Sequence, residues 1–103
     1  MTNTYPGIAV TDNVAGQNAC VGVSIAIPGT EQAIQLIHCN RGILCCGVLS
    51  HEVMEALDAS VCLFRAPEIQ DILIAKPIYV SPKARELRAS EELTGQEIMA
   101  LFA

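Results

Sequence analysis

"QAIQLIHCNRGILCCGVLS", residues 32–50, is the stretch whose reading decides the fold. Two runs rich in Ile, Leu and Cys flank Asn40, Arg41 and Gly42, and a short connection ending in Gly is a recurrent hairpin loop. The stretch reads as two antiparallel strands. With residues 40–42 as a three-residue loop, Cys39 faces Ile43, His38 faces Leu44, Ile37 faces Cys45 and Leu36 faces Cys46. That register puts His38 and Cys46 on one face as diagonal neighbours. Cys39 and Cys45 share a face at roughly 7–8 Å between Cα atoms, beyond the disulfide range of about 4.4–6.8 Å. Cys45 and Cys46 point to opposite faces and do not pair with each other.

Upstream, the chain continues to read as strands. "GIAV" at 7–10 is one, and "QNACVGVSIAI" at 17–27 is another, in which Ala19, Val21, Val23, Ile25 and Ile27 alternate with Cys20, Gly22, Ser24 and Ala26. A period of two with one bulky and one small face is the strand signature. The run is longer than the usual five or six residues, and the small face lets another backbone layer approach closely. Both features suggest that a neighbouring copy shares it.

Downstream of Ser50 the signals turn helical. Ser50 is an N-cap for "HEVMEALD", with Glu52 in the favourable first turn and Val53, Met54 and Leu57 on one stripe. "SVCLFRA" reads as a strand, and Pro67 opens the helix "PEIQDILIA" from a first helical position. "PIYV" is a short strand or link, and "SPKARELRA" repeats the Ser-Pro start. Thr94 and Glu97 have capping-box spacing ahead of Ile98, Met99, Leu101 and Phe102. "ASEEL" carries no decisive signal. The class is α+β: an N-terminal antiparallel or mixed β-sheet region, then short helices and strands, then a C-terminal helix. Residues 1–103 form a single domain, with the β-rich part, about 5–49, as the oligomerisation region.

Composition narrows the function classes. Hydrophobic residues make up 51% of the chain and charged residues 17%, a low charged share against about 25% in typical domains. Apolar surface in that proportion on so small a body implies burial between subunits. Six Lys and Arg against eleven Asp and Glu give a net charge of -5, the wrong sign for a nucleic-acid partner. No apolar run approaches a membrane span and no secretory signal is readable, so no membrane partner is expected and the expected compartment is the cytoplasm. Five cysteines, an odd number, fit that compartment as reduced thiols.

Three of those cysteines and both histidines fall within residues 38–52. Zinc sites draw ligand pairs from Cys-x(2-4)-Cys turns. The spacing Cys39, Cys45, Cys46 supplies none, and neither a metal nor a cofactor is expected. Buried cysteine is the ordinary reading of such a cluster. The sharper alternative is a thiol-dependent or metal-assisted enzyme. In it Cys46, at a strand end near a helix N-terminus, is the nucleophile, and His38 or His51 is its base.

Residues 34–50, "IQLIHCNRGILCCGVLS", and residues 67–102, with "PEIQDIL" and "TGQEIMALF", resemble the YunC-like family of bacterial and archaeal domains of unknown function. The resemblance covers about the last two-thirds of the chain, and it rests most specifically on the Gly turn before "CCGVL" and on the final Thr-Gly-x-Glu helix. It implies an α+β domain whose β region assembles a tetramer, and it implies no reaction. Cys46, before Gly47, is the cysteine it carries over. "RASEEL" departs from the family pattern, which has a glycine-containing extended segment there. The combined expectation is a homo-oligomeric assembly or small-ligand-binding module, with itself and an unidentified small molecule as partners.

Overall fold

A computed structural model describes residues 4–5, 7–17, 19–47 and 49–103; of Thr4 and Tyr5 only the backbone is described. Seven strands form one sheet in chain order: β1 (Thr4–Tyr5), β2 (Ile8–Thr11), β3 (Val21–Ala26), β4 (Ala33–His38), β5 (Ile43–Cys46), β6 (Val61–Phe64) and β7 (Tyr79–Val80). Every neighbouring pair is antiparallel except β5 and β6, which run parallel. A parallel pair needs a crossover, and α1 (His51–Ala56) provides it. The remaining helices are α2 (Ile69–Ile74), α3 (Pro82–Glu86) and α4 (Gly95–Phe102). The fold is α+β, as the sequence implies.

The helix starts follow from local chemistry. Ser50 Oγ accepts from the Val53 N–H at 3.4 Å, and Thr94 and Glu97 form the full capping box. Ser81, fully buried, accepts from both Ala84 N–H at 3.2 Å and Val61 N–H at 3.0 Å, so one hydroxyl starts α3 and ties it to β6. Pro67 lies outside its helix, because Glu68 is the N-cap of α2. Residues 91–93 form a turn and a bend, which places "ASEEL" outside helix and strand.

The β4–β5 hairpin differs from expectation by one residue. His38 pairs with Ile43, Ile37 with Leu44 and Leu36 with Cys45. The loop has four residues, and Cys39 N–H donates to the Gly42 carbonyl at 2.9 Å. Gly42 is not in the left-handed region; a Cβ there would stand 2.6 Å from the Phe102 ring and 2.7 Å from Ser60 Oγ. Its role is space for α4, and the same loop bonds to that helix through Arg41 N–H and the Phe102 carbonyl at 2.8 Å. A slip of one residue exchanges the faces of every side chain.

The long strand expected at 17–27 is six residues, 21–26. Asn13 and Ala15 take left-handed conformations around a 3-10 turn at Val14–Gly16, and Cys20 N–H bonds back to the Gln17 carbonyl at 3.1 Å. On the small face of β3, Gly22 is buried beneath α2, while Ala26 at the strand end is exposed. A Cβ on Gly22 would lie 2.9 Å from Ile69 Cδ1 of α2 and 3.1 Å from Val14.

The sheet thus has two unlike faces. One carries Ile37, Leu44, Cys62, Phe64 and Val80 into the main core, where Ile72 of α2, Ala84 of α3 and Ile98, Met99 and Phe102 of α4 meet them. The other carries Cys45, Val61 and Leu63, covered by Leu49, Met54 of α1 and Tyr79. Register extends this second face across β4, β3 and β2 as Ile34, Leu36, Val21, Val23, Ile25, Ile8 and Val10. None of those seven is buried.

Candidate functional site

Strands β5 and β6 end side by side, with Cys46 opposite Phe64. From there the chain leaves β5 towards α1, whose Met54 covers one sheet face, and leaves β6 towards α2, whose Ile72 covers the other. Divergence of two connections at the carboxyl ends of parallel strands opens a crevice, the general position for ligands in such sheets. Here the crevice is a cleft of about 580 Å³, a volume within the small-molecule range of about 300–1,000 Å³. Cys46 and Phe64 line it, Gln32 and Ala33 come from the segment entering β4, and Arg65 and Ile78 complete it. Arg65 is the one charged side chain among the described lining residues.

Cys46 is 6% exposed, and its Sγ accepts the Gln35 backbone N–H at 3.4 Å. Gly47 follows it in the cleft wall. Neither histidine comes to it in the expected way. His38 pairs with Ile43 and therefore shares the face of Cys45, the sheet face opposite to Cys46. It is exposed there, so the expected His38–Cys46 neighbourhood is corrected by the register. His51 is the exposed first residue of α1, with its ring centroid 5.2 Å from that of Tyr79. Tyr79 pairs with Leu63 on the Cys45 face and donates its hydroxyl to Glu55 at 2.9 Å. The ring contact holds His51 beside the outer face. The polar side chains among the residues that line the Cys46 cleft belong to Arg65, Gln32 and Cys46 itself.

All five cysteines are free and buried. Burial pushes the Cys45 thiol up to about 12, with the neighbouring Cys46 adding to the effect. Burial likewise raises Cys62 to about 12, assisted by Glu91. Neither is a nucleophile near neutral pH, since the thiolate is the reactive form. Cys39 does not share a face with Cys45 in the observed register; its Sγ lies 2.8 Å from that of Cys20. Among the described residues, no group of three His, Cys, Asp or Glu side chains is placed to hold a metal ion. No helix of the described residues is long and apolar enough to cross a membrane.

Arg65 was not singled out from the sequence. The available signal was its position, one residue beyond a strand and two before Pro67. It becomes informative only once β6 is known to run parallel to β5.

No family model matches the chain, and no curated protein matches it. Among solved structures, the chain is similar to a protein of unknown function from Thermoplasma acidophilum, with a TM-score of 0.73 at 15% identity, covering 98% of this chain and 100% of that one. At that identity the likeness establishes a shared fold across the full length and nothing about chemistry.

Proposed function

We propose that the protein is a self-associating subunit, assembled as a tetramer, whose cleft at the ends of β5 and β6 holds a small anionic molecule. The observation that carries the assembly is the outer face of β2–β4. Ile8, Val10, Val21, Val23, Ile25, Ile34 and Leu36 form one apolar surface on which none is buried. A surface of that kind marks an interaction site. Its seven side chains are all apolar, with His38 at the end of β4 as the ionisable group beside them, so a strongly charged partner has little to pair with. A second copy offers the matching apolar face, as a two-fold isologous contact requires. Extension of the sheet through its edges is the weaker route, because β1 and β7 are two residues each and expose few backbone groups.

Val53 of α1 and Leu57, the residue that caps it, one turn apart and 52% and 68% exposed, offer a second apolar patch. Two isologous contacts per subunit make a tetramer of dihedral symmetry. This agrees with the expectation from the YunC-like motifs, and on this reading the chain is a domain of that kind. Val23→Glu tests it. Val23 is half-buried in the isolated subunit, so the variant folds, but in the assembly it buries an unpaired charge at several kcal/mol. Association is expected to weaken at least about 100-fold by size-exclusion chromatography with light scattering. An unchanged assembly would remove the face from the account.

Arg65 and the apolar walls support the ligand class, an anionic group on an apolar body. A second reading makes Cys46 a reactive thiol, because it is the cysteine that lines the cleft. Brief treatment of the native protein with iodoacetamide near pH 7.5, followed by peptide mapping, separates the two. A binding role for the cleft predicts slow labelling, with Cys46 ahead of Cys45 and Cys62. Rapid stoichiometric modification of Cys46 would favour the thiol reading.

A further inference from the structure

We infer that Cys20 and Cys39 close into a buried cross-strand disulfide when the folding chain meets a small-molecule disulfide. Cys20 immediately precedes β3 and Cys39 immediately follows β4. Val21 pairs with His38, so the two cysteines occupy the next pair of the same ladder. They exchange no backbone bonds: Cys20 N–H goes to Gln17, the Cys20 carbonyl takes the Val14 N–H, and Cys39 N–H goes to Gly42. Cross-strand residues of this type have Cα atoms about 4.5 Å apart, inside the disulfide range of about 4.4–6.8 Å. Their sulfurs already face each other at 2.8 Å. No strand has to move for the bond to form.

The other three cysteines lack this geometry. Cys45 and Cys46 are adjacent on one strand and point to opposite faces, and Cys62 pairs with Leu44 and Val80. The cost to existing bonds is small. Cys20 Sγ otherwise reaches only the Met99 carbonyl, at 4.0 Å.

Burial decides when the reaction happens. Cys20 is 0% and Cys39 3% exposed, and burial and the adjacent Cys20 both raise the Cys39 thiol. Attack on a disulfide requires a thiolate with access, so exchange is slow in the folded protein and fast while it folds. With oxidised glutathione, one thiolate displaces a glutathione thiolate and forms a mixed disulfide. The second thiolate then attacks the protein sulfur of that bond and releases the other glutathione. Two protein thiols are oxidised, one glutathione disulfide is reduced to two thiols, and both protein protons end on them.

The test is refolding of the full chain from denaturant in a mixture of oxidised and reduced glutathione, followed by quenching, alkylation and mass analysis. Cleavage after Glu31 and Arg41 separates residue 20, residue 39 and the remaining cysteines into different peptides. The expected product has lost two hydrogens and links the peptide ending at Glu31 to residues 32–41. Its thermal midpoint stands roughly 10 °C above that of the reduced protein. Oxidant added to the folded protein gives the same link more than about tenfold more slowly. Five free thiols after refolding, or a link through Cys45, Cys46 or Cys62, would overturn the inference.

Discussion

Gly95→Ala is expected to destabilise the protein by about 3 kcal/mol or more, a large share of the roughly 5–15 kcal/mol that holds a domain together. Two effects oppose each other. Gly95 is the first residue of α4 and does not have a positive φ, so alanine there gains up to about 1 kcal/mol of helix propensity. Against this, a Cβ would stand 1.9 Å from the Ile72 carbonyl oxygen and 2.8 Å from its carbon. Both are backbone atoms and cannot rotate away. Relief requires α4 to lift from α2, which breaks the 2.9 Å bond from Gly95 N–H to the Ala75 carbonyl and opens the core around Ile72, Ile98 and Met99. Overpacking of this kind costs about 1–3 kcal/mol where side chains can adapt, and more where they cannot. The clash therefore outweighs the propensity. Gly47→Ala is the control: its Cβ meets nothing closer than 3.7 Å, and a change within about 0.5 kcal/mol is expected in urea unfolding. Equal midpoints for the two variants would contradict the packing described for α2 and α4.

Stability is expected to hold from pH 7 to about pH 8 and to fall steeply from about pH 9 upward. Cys45 and Cys62 have thiols raised by burial from an ordinary value near 9.0 to about 12. The native state holds these protons more tightly than the unfolded chain. A raised value on folding contributes stability that is complete below pH 9 and is lost as pH climbs towards 12. At pH 10 each unfolded thiol has released most of its proton while the native one has not, which costs on the order of 1.4 kcal/mol per thiol. The two together remove about 3 kcal/mol. Equilibrium urea unfolding at pH 7, 9 and 10 reads the change as a shift in midpoint. Cys62→Ala should flatten the slope by about a third, whatever its own cost at pH 7, because the Cys39 thiol, also raised by burial, loses stability over the same range. A profile flat to pH 10 in the wild type would show that these thiols are not buried as described.

The parts of this fold legible in the sequence were those governed by near neighbours. Ser50, Ser81 and Thr94 each begin a helix because a short side-chain oxygen beside the first turn satisfies free N–H groups there, and no distant residue is needed. The β4–β5 hairpin was visible for the same reason. Its register was not, because Gly42 is fixed by the Phe102 ring, some sixty positions away, and not by the loop's own conformation. From that one residue followed the misplacement of His38 beside Cys46 and of Cys39 beside Cys45. The strand at 17–27 was overextended because the turn through Asn13, Ala15 and Gly16, all left-handed, runs on to the Cys20 N–H bond to the Gln17 carbonyl before β3 begins. The contrast between bulky and small faces of β3 was real: Gly22 lies under α2, and Val23, on the other face, is half-buried.

The cleft itself was hidden for a topological reason. Cys46 was legible as a strand-end cysteine before a glycine. Its partner in the wall, Arg65, enters only because β5 and β6 run parallel and send their connections to opposite faces. Parallel pairing depends on the whole crossover and leaves no short signature.

Sedimentation of the purified wild-type chain across the micromolar range, beside Val23→Glu, tests the central proposal most directly. Wild type is expected to sediment at four times the 11.0 kDa subunit mass, and the variant as smaller species. A wild-type chain that stays a single 11.0 kDa subunit over that range would contradict the account.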